Sequence, residues 1–286
     1  MAKISSPALR YHGAKFRLAP WVLKHFPEHR CYVEPFGGAA GVLLQKPRAY
    51  AEVYNDLDED IANFFRVIRD RDLSDRLLQL LRVTPYARAE FDLAYQDCDE
   101  PVERARRTAV RACMGFGSAG ATKGVTGFRI DTARPYGTAQ HLWTRYPDQL
   151  GAVIERFQGV LIENRPAIEV MRQHDTPETL HFVDPPYVYA TRSLRNVAQG
   201  CYRHEMTDEQ HLELLTALKG LQGMVVLSGY PSSLYEGELS DWQVSSTGAR
   251  ISAGRGTAIK TEVLWLNPAC QQRLAAPPAT QQALEI

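Results

Sequence analysis

Four consecutive residues in the second half of the chain combine an acid, two prolines and an aromatic ring. They are Asp184, Pro185, Pro186 and Tyr187, and they directly follow the apolar segment 180–183. Two consecutive prolines fix the backbone and remove two donors, so the chain leaves the segment as a stiff extended arm. The Asp184 carboxylate and the Pro185 carbonyl can then both accept hydrogen bonds from an exocyclic NH₂ group, while Tyr187 offers a face to a planar base. The tripeptide Asp-Pro-Pro also occurs in ordinary turns. Its position after an apolar segment and before an aromatic residue favours a binding site for an amine on an aromatic ring.

A turn of small residues nearer the N-terminus is the second feature that could bind a ligand. It follows the apolar segment 31–33 and consists of Glu34, Pro35, Phe36, Gly37 and Gly38. In a parallel sheet such a turn lies at the edge where open α/β folds bind nucleotides. Asp56 comes nineteen residues after Gly37, where a carboxylate can accept both hydroxyls of a ribose. The glycine spacing does not fit a dinucleotide fingerprint. The small-residue turn together with Asp56 indicates a different adenosine-containing ligand. An ordinary turn with a surface aspartate is the alternative.

The segments around these residues alternate between short apolar runs and amphipathic stretches. This pattern predicts an α/β domain with a mostly parallel central sheet. The predicted strands are 31–33, 49–54, 160–162, 180–183, 224–227 and 262–266. A helix is predicted after Asp58 from the helical spacing of the apolar residues in 61–68. Thr207 and Gln210 form a capping box for another helix, which ends at Gly220.

The strand pattern stops between residues 69 and 158, which predicts a mainly helical second domain inserted into the first. Within it, the segment from Pro101 to Arg145 carries eight Lys and Arg residues against two acids, a local charge of +6. A solvated helix face explains part of this excess. The glycines and aromatics from Gly115 to Gly137 favour, in addition, a loop that orders against a phosphate backbone. We therefore predict a sheet domain at 1–68 and 159–270, an insertion at 69–158 and a flexible tail at 271–286.

The composition excludes several classes of protein. The 286 residues are 44% hydrophobic, yet no run of about 18 apolar residues could span a membrane and no signal peptide is evident, so a cytoplasmic location is expected. The five cysteines form no C-x-x-C pair and the histidines are scattered, so no metal is expected. The 33 basic and 33 acidic residues balance, which would disfavour a polyanionic partner if the charge were evenly spread. The basic insertion shows that it is not.

Several short segments, taken in order, carry a family resemblance. They are Tyr11-His12-Gly13-Ala14-Lys15, Glu34-Pro35-Phe36-Gly37-Gly38, Asn55-Asp56 and Asp184-Pro185-Pro186-Tyr187, with 202–211, 227–230 and 262–267. Together they resemble the Dam-like alpha-group of DNA adenine-N6 methyltransferases, over residues 8–66 and 160–267. The resemblance implies a Rossmann-like methyltransferase fold, S-adenosylmethionine as the cofactor and double-stranded DNA as the partner. The insertion falls where that family keeps its target-recognition domain.

The resemblance also implies roles for individual residues. The S-adenosylmethionine pocket would be formed by Tyr11, Gly13, Lys15, Glu34, Pro35, Phe36, Gly37, Gly38, Asp56, Asn164 and Asp184. Lys15 would lie near the methionine end of the cofactor and Asp56 would hold the ribose. The catalytic residues would be Asp184, Pro185, Pro186 and Tyr187, with Tyr187 stacking on a base flipped out of the duplex. Apart from the resemblance, the basic glycine-rich segment of the insertion predicts DNA contacts at Lys123, Arg129 and Arg134, and the loop that follows Tyr187 predicts contacts at Arg192 and Arg195.

The expected reaction is direct transfer of an activated methyl group to an amine, for which positioning is the main requirement. No cysteine follows a proline, as the nucleophile for cytosine-C5 methylation would. The motif recognises an NH₂ group and not a particular base. Transfer to cytosine N4, to RNA or to an amide nitrogen in protein therefore stays open, as does a DNA-binding protein without catalysis. Enzymes of this type act alone or beside a cognate restriction endonuclease, and the sequence leaves both alternatives open.

Overall fold

A seven-stranded sheet forms the centre of the computed structural model, which describes residues 4–121, 124–130, 138–192, 202–253 and 256–276. The strands are β1 (Cys31–Glu34), β2 (Ala51–Asn55), β3 (Leu161–Glu163), β4 (Thr179–Val183), β5 (Met224–Gly229), β6 (Gln243–Ala253) and β7 (Gly256–Leu266). Their order across the sheet is β3-β2-β1-β4-β5-β7-β6. The pairs β5–β7 and β6–β7 are antiparallel and the other neighbours are parallel. The predicted mostly parallel sheet is confirmed.

Strands β1 and β4 are neighbours although about 145 residues separate them in the chain, as the numbering of their ends shows. Val33 of β1 pairs with Val53 of β2 on one side and with His181 of β4 on the other. This register brings the carboxyl ends of β1, β2 and β4 to one edge of the sheet. Every residue of β4 and β5 is buried, as expected for strands covered on both faces.

Ten α-helices lie within the described residues. They are α1 (Ala19–Val22), α2 (Glu59–Arg69), α3 (Arg71–Val83), α4 (Arg88–Leu93), α5 (Pro101–Met114), α6 (Ala139–Phe157), α7 (Ala167–Gln173), α8 (Asp208–Lys219), α9 (Ser233–Glu238) and α10 (Pro268–Ala275). The helix predicted after Asp58 is α2, and the Asp58 side chain caps it by accepting a bond from the amide of Asp60. The capping box of Thr207 and Gln210 is confirmed at the start of α8, which Gly220 follows.

Two predictions from the sequence need correction. Strand β6 was not predicted, because its mixed polar sequence at the sheet edge carries no apolar run. The predicted flexible tail began at residue 271, but 271–275 form the second half of α10. Asn267 caps this helix by accepting a 2.9 Å bond from the amide of Cys270, and Pro268 supplies a favourable first residue. The rest of the predicted tail, from residue 277, lies outside the described residues.

The predicted insertion is mainly helical in its described parts and contains α3 to α6. Its apolar side chains join the same hydrophobic cluster as those of the sheet. Phe65 of α2, for example, stacks on Phe157 of α6 with ring centroids 4.5 Å apart. The chain enters and leaves the insertion at adjacent points, where the Gln158 amide donates to the Arg69 carbonyl over 2.8 Å. Because one core spans both parts, the domain boundaries stay a prediction.

The described part of the glycine-rich loop is closed at its base. Gly115 and Phe128 form an antiparallel bridge, and the amide of Phe116 donates to the carbonyl of Gly127 over 2.7 Å. Beyond this bridge the loop presents apolar side chains to solvent. Phe116 is 71% exposed and Val125 is 78% exposed.

Candidate active site

A cavity of about 430 Å³ opens at the carboxyl edge of the parallel strands. Its walls come from the turn after β1, the loop after β2, the arm after β4 and the segment 202–206. Its volume lies within the range of small-molecule sites, which span roughly 300–1,000 Å³. Because the turn after β1, Asp56 and Asp184 all line it, the cavity lies where the sequence predicted a ligand.

The turn after β1 is shaped by close packing of aromatic rings on glycine. Gly38 has a φ of +48°, and a Cβ there would lie 2.8 Å from the ring of Tyr11. A Cβ at Gly37 would lie 2.1 Å from the ring of Tyr54, whose hydroxyl donates to the Gly38 carbonyl. The small residues in this turn thus admit Tyr11 as an aromatic wall of the cavity.

Asp56 is held rigidly by backbone donors. One carboxylate oxygen accepts the amide of Gly38 and the other accepts the amide of Asp58, both at 2.8 Å. Burial raises the pKa of Asp56 to about 6, although the two amides oppose the shift. Each oxygen keeps a second lone pair, so this side chain can accept hydroxyl donors from a ligand.

Glu34, at the end of β1, is a buried carboxyl group behind the same turn. Its Oε2 atom accepts from the Tyr32 hydroxyl at 2.7 Å and from the Leu43 amide at 3.1 Å. Burial raises its pKa to about 8 in spite of these two donors. The nearby Asp184 carboxylate adds to the rise.

Asp184 forms a buried ion pair with Lys15. The Lys15 ammonium lies 2.9 Å from Asp184 Oδ1 and 3.0 Å from the Gly13 carbonyl that accepts it. Burial alone would lower the pKa of Lys15, but Asp184 and Glu262 raise it above its ordinary value. Burial raises the pKa of Asp184, and Lys15 opposes the rise. The pair joins the N-terminal motif to the arm after β4.

Tyr187 ends the same arm with its hydroxyl anchored in the sheet. The hydroxyl donates to Glu262 Oε2 at 2.7 Å and lies 3.0 Å from Ser228 Oγ. The Tyr187 ring meets Tyr230 edge to face, with centroids 4.5 Å apart. The Lys15 ammonium lies 4.7 Å from the centroid of the Tyr187 ring, a cation–π distance.

The segment 202–206 covers the cavity and is anchored by Arg203. This guanidinium lies 3.0 Å from Asp58 Oδ1 and 3.0 Å from Asp60 Oδ2. Asp60 also binds two arginines of α5 in the insertion, Arg104 at 2.6 Å and Arg111 at 2.9 Å. Burial by itself would raise the pKa of Asp60, but the three guanidinium groups hold it below its ordinary value. Asp60 therefore links α5 of the insertion to the segment 202–206 that covers the cavity, because it pairs with arginines from both.

Most of the predicted site residues meet at this cavity. Those that line it are Tyr11, Gly13, Lys15, Glu34, Pro35, Phe36, Gly37, Gly38, Asp56, Asp184 and Pro186. Pro185 is buried and Tyr187 is half-buried, and neither is among the residues that line the cavity. Asn164 does not line the cavity. Its side-chain amide donates to the backbone carbonyl of Asp56 at 2.8 Å and so holds the loop that carries Asp56.

The predicted DNA-binding arginines lie differently from the expectation. Arg192 has a side chain only 5% exposed, which bonds to Glu205 at 2.8 Å and to the Tyr187 carbonyl at 2.6 Å. Arg129 is only 7% exposed. Their burial argues against direct phosphate contacts by these two side chains. The other three predicted positions, Lys123, Arg134 and Arg195, lie outside the described residues.

Sequence reasoning missed several residues of the site. Ser228 and Glu262 reach Tyr187 from strands far along the chain, and Arg203 reaches Asp58 across 145 residues. Ile168 adds an apolar wall to the cavity. A polar residue inside an apolar strand, such as Ser228 or Glu262, was the available signal, because buried polar groups need partners.

Two features are absent from the described residues. No group of three or more His, Cys, Asp or Glu side chains is placed to hold a metal ion. Nor does any helix in the described ranges have the length and apolar character needed to cross a bilayer.

The fold and this site define a class of protein, and comparison with known families agrees. The chain belongs to the D12 class of N6 adenine-specific DNA methyltransferases, whose family model matches residues 11–234. It is thus an adenine-specific DNA methyltransferase with a Rossmann-like fold, and it transfers a methyl group to N6 of adenine in DNA.

Individual relatives share this chemistry. The DNA adenine methylases of Salmonella typhi and Salmonella typhimurium are each 22% identical to the chain over 269 residues, which cover 90% of this chain and 92% of theirs. The DNA adenine methylase of Haemophilus influenzae is 34% identical over 64 residues, 22% of each chain. The first two similarities extend over nearly the whole length of both proteins.

Proposed function

We propose that S-adenosylmethionine is the methyl donor and that it binds in the cavity beside β1 and β2. The observation that carries this proposal is Asp56, whose two oxygens are fixed by backbone amides and face a cavity of suitable volume. Tyr11, Phe36 and Ile168 supply apolar walls for a planar base. Asp56, which is ionised above its pKa of about 6, supplies negative charge for a cationic ligand. When bound, the cofactor supplies an electrophilic methyl group on sulfur.

The arm after β4 is proposed to hold the adenine amine. Asp184 and the Pro185 carbonyl accept its two hydrogens, which favours the pyramidal form of the nitrogen and frees its lone pair. The base must leave the duplex to reach this arm, and Tyr187 offers its ring as a stacking surface. Lys15 balances the charge of Asp184 in the protein. No covalent intermediate is required.

Incubation with methyl-labelled S-adenosylmethionine and duplex DNA tests the donor and the acceptor together. Label is expected on N6 of adenine after nucleoside digestion, and DNA is expected to exceed RNA and peptide as an acceptor. Absence of transfer from this donor would refute the cofactor proposal. Label on cytosine N4 would show that the arm accepts a second amine.

Donor binding is expected to strengthen as the pH rises through about 6. The carboxyl of Asp56 has a raised pKa of about 6 in the free protein. Ribose hydroxyls that donate to the ionised form would lower this pKa, so binding at acidic pH must release a proton. The donor dissociation constant should therefore rise by about fivefold between pH 6 and pH 5, and by close to tenfold per pH unit only further below the pKa.

Calorimetric titration in two buffers of different ionisation enthalpy measures both the affinity and the proton release. The Asp56→Asn variant should bind more weakly and lose the step near pH 6. Asp148→Asn, on the exposed Asp148–Arg82 ion pair, is the matched control and should keep the step. An unchanged pH profile in Asp56→Asn would show that another group binds the ribose.

The insertion is proposed to be the target-recognition domain. Residues 115–130, which we call the recognition loop, are proposed to face the duplex. The exposed Phe116, Val125 and Ile130 support this role, since large apolar side chains on a surface mark contact sites. The basic positions Lys123 and Arg134 belong to the same segment of the chain. We retain the predicted division between the sheet domain and the insertion at 69–158 as part of this proposal.

Replacement of both Lys123 and Arg134 by Gln should weaken DNA binding and reduce its salt dependence. Loss of two phosphate contacts is expected to lower the slope of log K against log salt by about 1.8. Fluorescence anisotropy with labelled duplex over a potassium chloride series measures this slope. Arg30→Gln, before β1 at the opposite edge of the sheet, is the control and should leave the slope unchanged. Equal slopes for the double variant and the wild type would remove these residues from the interface.

The DNA sequence that the enzyme methylates would identify its biological setting. We propose a cytoplasmic enzyme that acts alone or beside a cognate restriction endonuclease. Methylome sequencing of a host that expresses the protein identifies the modified sequence. Protection of that DNA against an endonuclease encoded next to the gene would favour the paired arrangement.

A further inference from the structure

Glu262 is a buried carboxylate that accepts a hydrogen bond from Tyr187. It lies on β7, one residue before the Val263–Gly229 pair of the antiparallel ladder with β5. Only 5% of it is exposed, and the Tyr187 hydroxyl donates to its Oε2 atom over 2.7 Å. Ser228 of β5, 1% exposed, lies 3.0 Å from the same hydroxyl. Two strands from the antiparallel side of the sheet therefore converge on one atom of the catalytic arm.

A buried carboxylate is unfavourable unless it is paired or hydrogen-bonded. Within the described residues no Lys, Arg or His nitrogen lies within 4 Å of Glu262, although Lys15 is close enough to act through its field. The charge-assisted bond from Tyr187 is thus the contact that satisfies Glu262 directly, and such bonds are short and strong. An apolar residue at this position would pack in the sheet without the desolvation penalty. Packing alone therefore does not account for Glu262.

The Tyr187 ring is held at two places. The rings of Tyr187 and Tyr230 make an edge-to-face contact with centroids 4.5 Å apart, and the ammonium of Lys260 on β7 lies 4.3 Å from the centroid of the Tyr230 ring. The hydroxyl is the other fixed point, since it is bonded to Glu262 and lies beside Ser228. A ring held at these two places loses little freedom when a base stacks on it.

We propose that Glu262 is a positioning residue that fixes the Tyr187 ring in the orientation that receives the flipped adenine. This proposal rests on the proposed stacking role of Tyr187. Glu262 itself touches neither the base nor the cofactor in this scheme. Its effect should appear in the chemical step and in base stacking, and not in donor affinity.

A double-mutant cycle separates this role from a general effect on folding. Glu262→Met removes the acceptor while keeping the volume, and Tyr187→Phe removes the donor while keeping the ring. Each is expected to lower kcat by about 10- to 100-fold with the donor KM unchanged, because misplacement of reacting groups has effects of this size. The double variant is expected to be no slower than the slower single variant. Losses that multiply in the double variant, or full activity of Tyr187→Phe, would overturn the proposal.

Two further variants complete the test. Glu262→Gln keeps an acceptor oxygen and is expected to restore kcat to within about threefold of the wild type. A Gln variant as slow as the Met variant would overturn a role through the hydrogen bond. Tyr187→Ala tests the stacking role on which the proposal rests: full activity of this variant removes that role, whatever the cycle shows. If Glu262→Met does not fold, Tyr187→Phe and Glu262→Gln still test the hydrogen bond, because the first removes its donor while keeping the ring and the second keeps its acceptor.

A fluorescent base gives a readout that a purely structural role would not move. Duplex DNA with 2-aminopurine at the methylated adenine should show a quenched, well-defined signal when the flipped base stacks on the wild-type protein. Glu262→Met should give a brighter, more heterogeneous signal at equal DNA saturation. An identical emission spectrum and lifetime in both proteins would show that Tyr187 keeps its position without Glu262.

Discussion

Replacement of Asp184 by Asn is expected to lower the rate of methyl transfer by about 10²- to 10³-fold, the range found when one fixed polar group is removed from an active site. Asn has the shape of Asp but presents an NH₂ group of its own where the adenine amine must donate. The second acceptor, the Pro185 carbonyl, is unaffected. Single-turnover transfer from labelled donor to saturating DNA measures this step without contributions from product release.

Asp184→Asn also leaves the Lys15 ammonium without its 2.9 Å partner, so stability has to be measured with activity. Removal of one partner from a buried ion pair costs about 3 kcal/mol. The variant Asp184→Asn with Lys15→Met removes both charges and should regain part of that stability without regaining activity. Asp175→Asn is the matched control, because Asp175 pairs with His181 on β4 away from the cavity. Methylation at the wild-type rate in Asp184→Asn would remove Asp184 from the chemistry.

Replacement of Asp60 by Asn is expected to destabilise the fold strongly. The change leaves Arg104, Arg111 and Arg203 around a neutral side chain. A loss of about 3 kcal/mol is expected for such a partly buried cluster, or roughly 6–12 °C in Tm. Urea unfolding followed by circular dichroism measures this difference.

The pH dependence of the Asp60 effect has a defined sign. Because the pKa of Asp60 is lowered in the folded state, its contribution is present above the ordinary carboxyl pKa and is lost as the pH falls through the folded value. The difference between wild type and Asp60→Asn should therefore shrink below about pH 4. Asp148→Asn on the exposed pair with Arg82 should cost under about 0.5 kcal/mol. Equal costs for the two variants would show that the Asp60 cluster is no stronger than a surface ion pair.

The parts of the site that the sequence predicted are local in the chain. The stiff arm from Asp184 to Tyr187 and the small-residue turn around Gly37 each follow an apolar strand, so residue type and order suffice to place them. Asp56 was found in the same way. The mostly parallel sheet also followed from the alternation of apolar and amphipathic segments.

The parts that the sequence did not predict depend on contacts between distant segments. Glu262 and Tyr187 are 75 residues apart, and Arg203 and Asp60 are 143 apart. Such pairs follow from the strand order and from the path of the insertion, neither of which leaves a local pattern. The burial of Arg129 and Arg192 was missed for a related reason. Arginine is most often exposed, and only the fold shows that Glu205 is available to pair with Arg192.

The entry and exit of the insertion limit how this enzyme could acquire a new target sequence. The two ends of the insertion are hydrogen-bonded to each other through Arg69 and Gln158, so an inserted segment of any length could be accommodated there without shifting the sheet. The helices α5 and α6, however, fill the same core as α2, and exchange of the whole insertion would leave apolar surface uncovered. The recognition loop is different, since it is tethered at Gly115 and Phe128 and its exposed residues contribute little to that core. If this loop reads the DNA as proposed, substitutions within it are the route by which specificity can diverge while the methyl-transfer site stays intact.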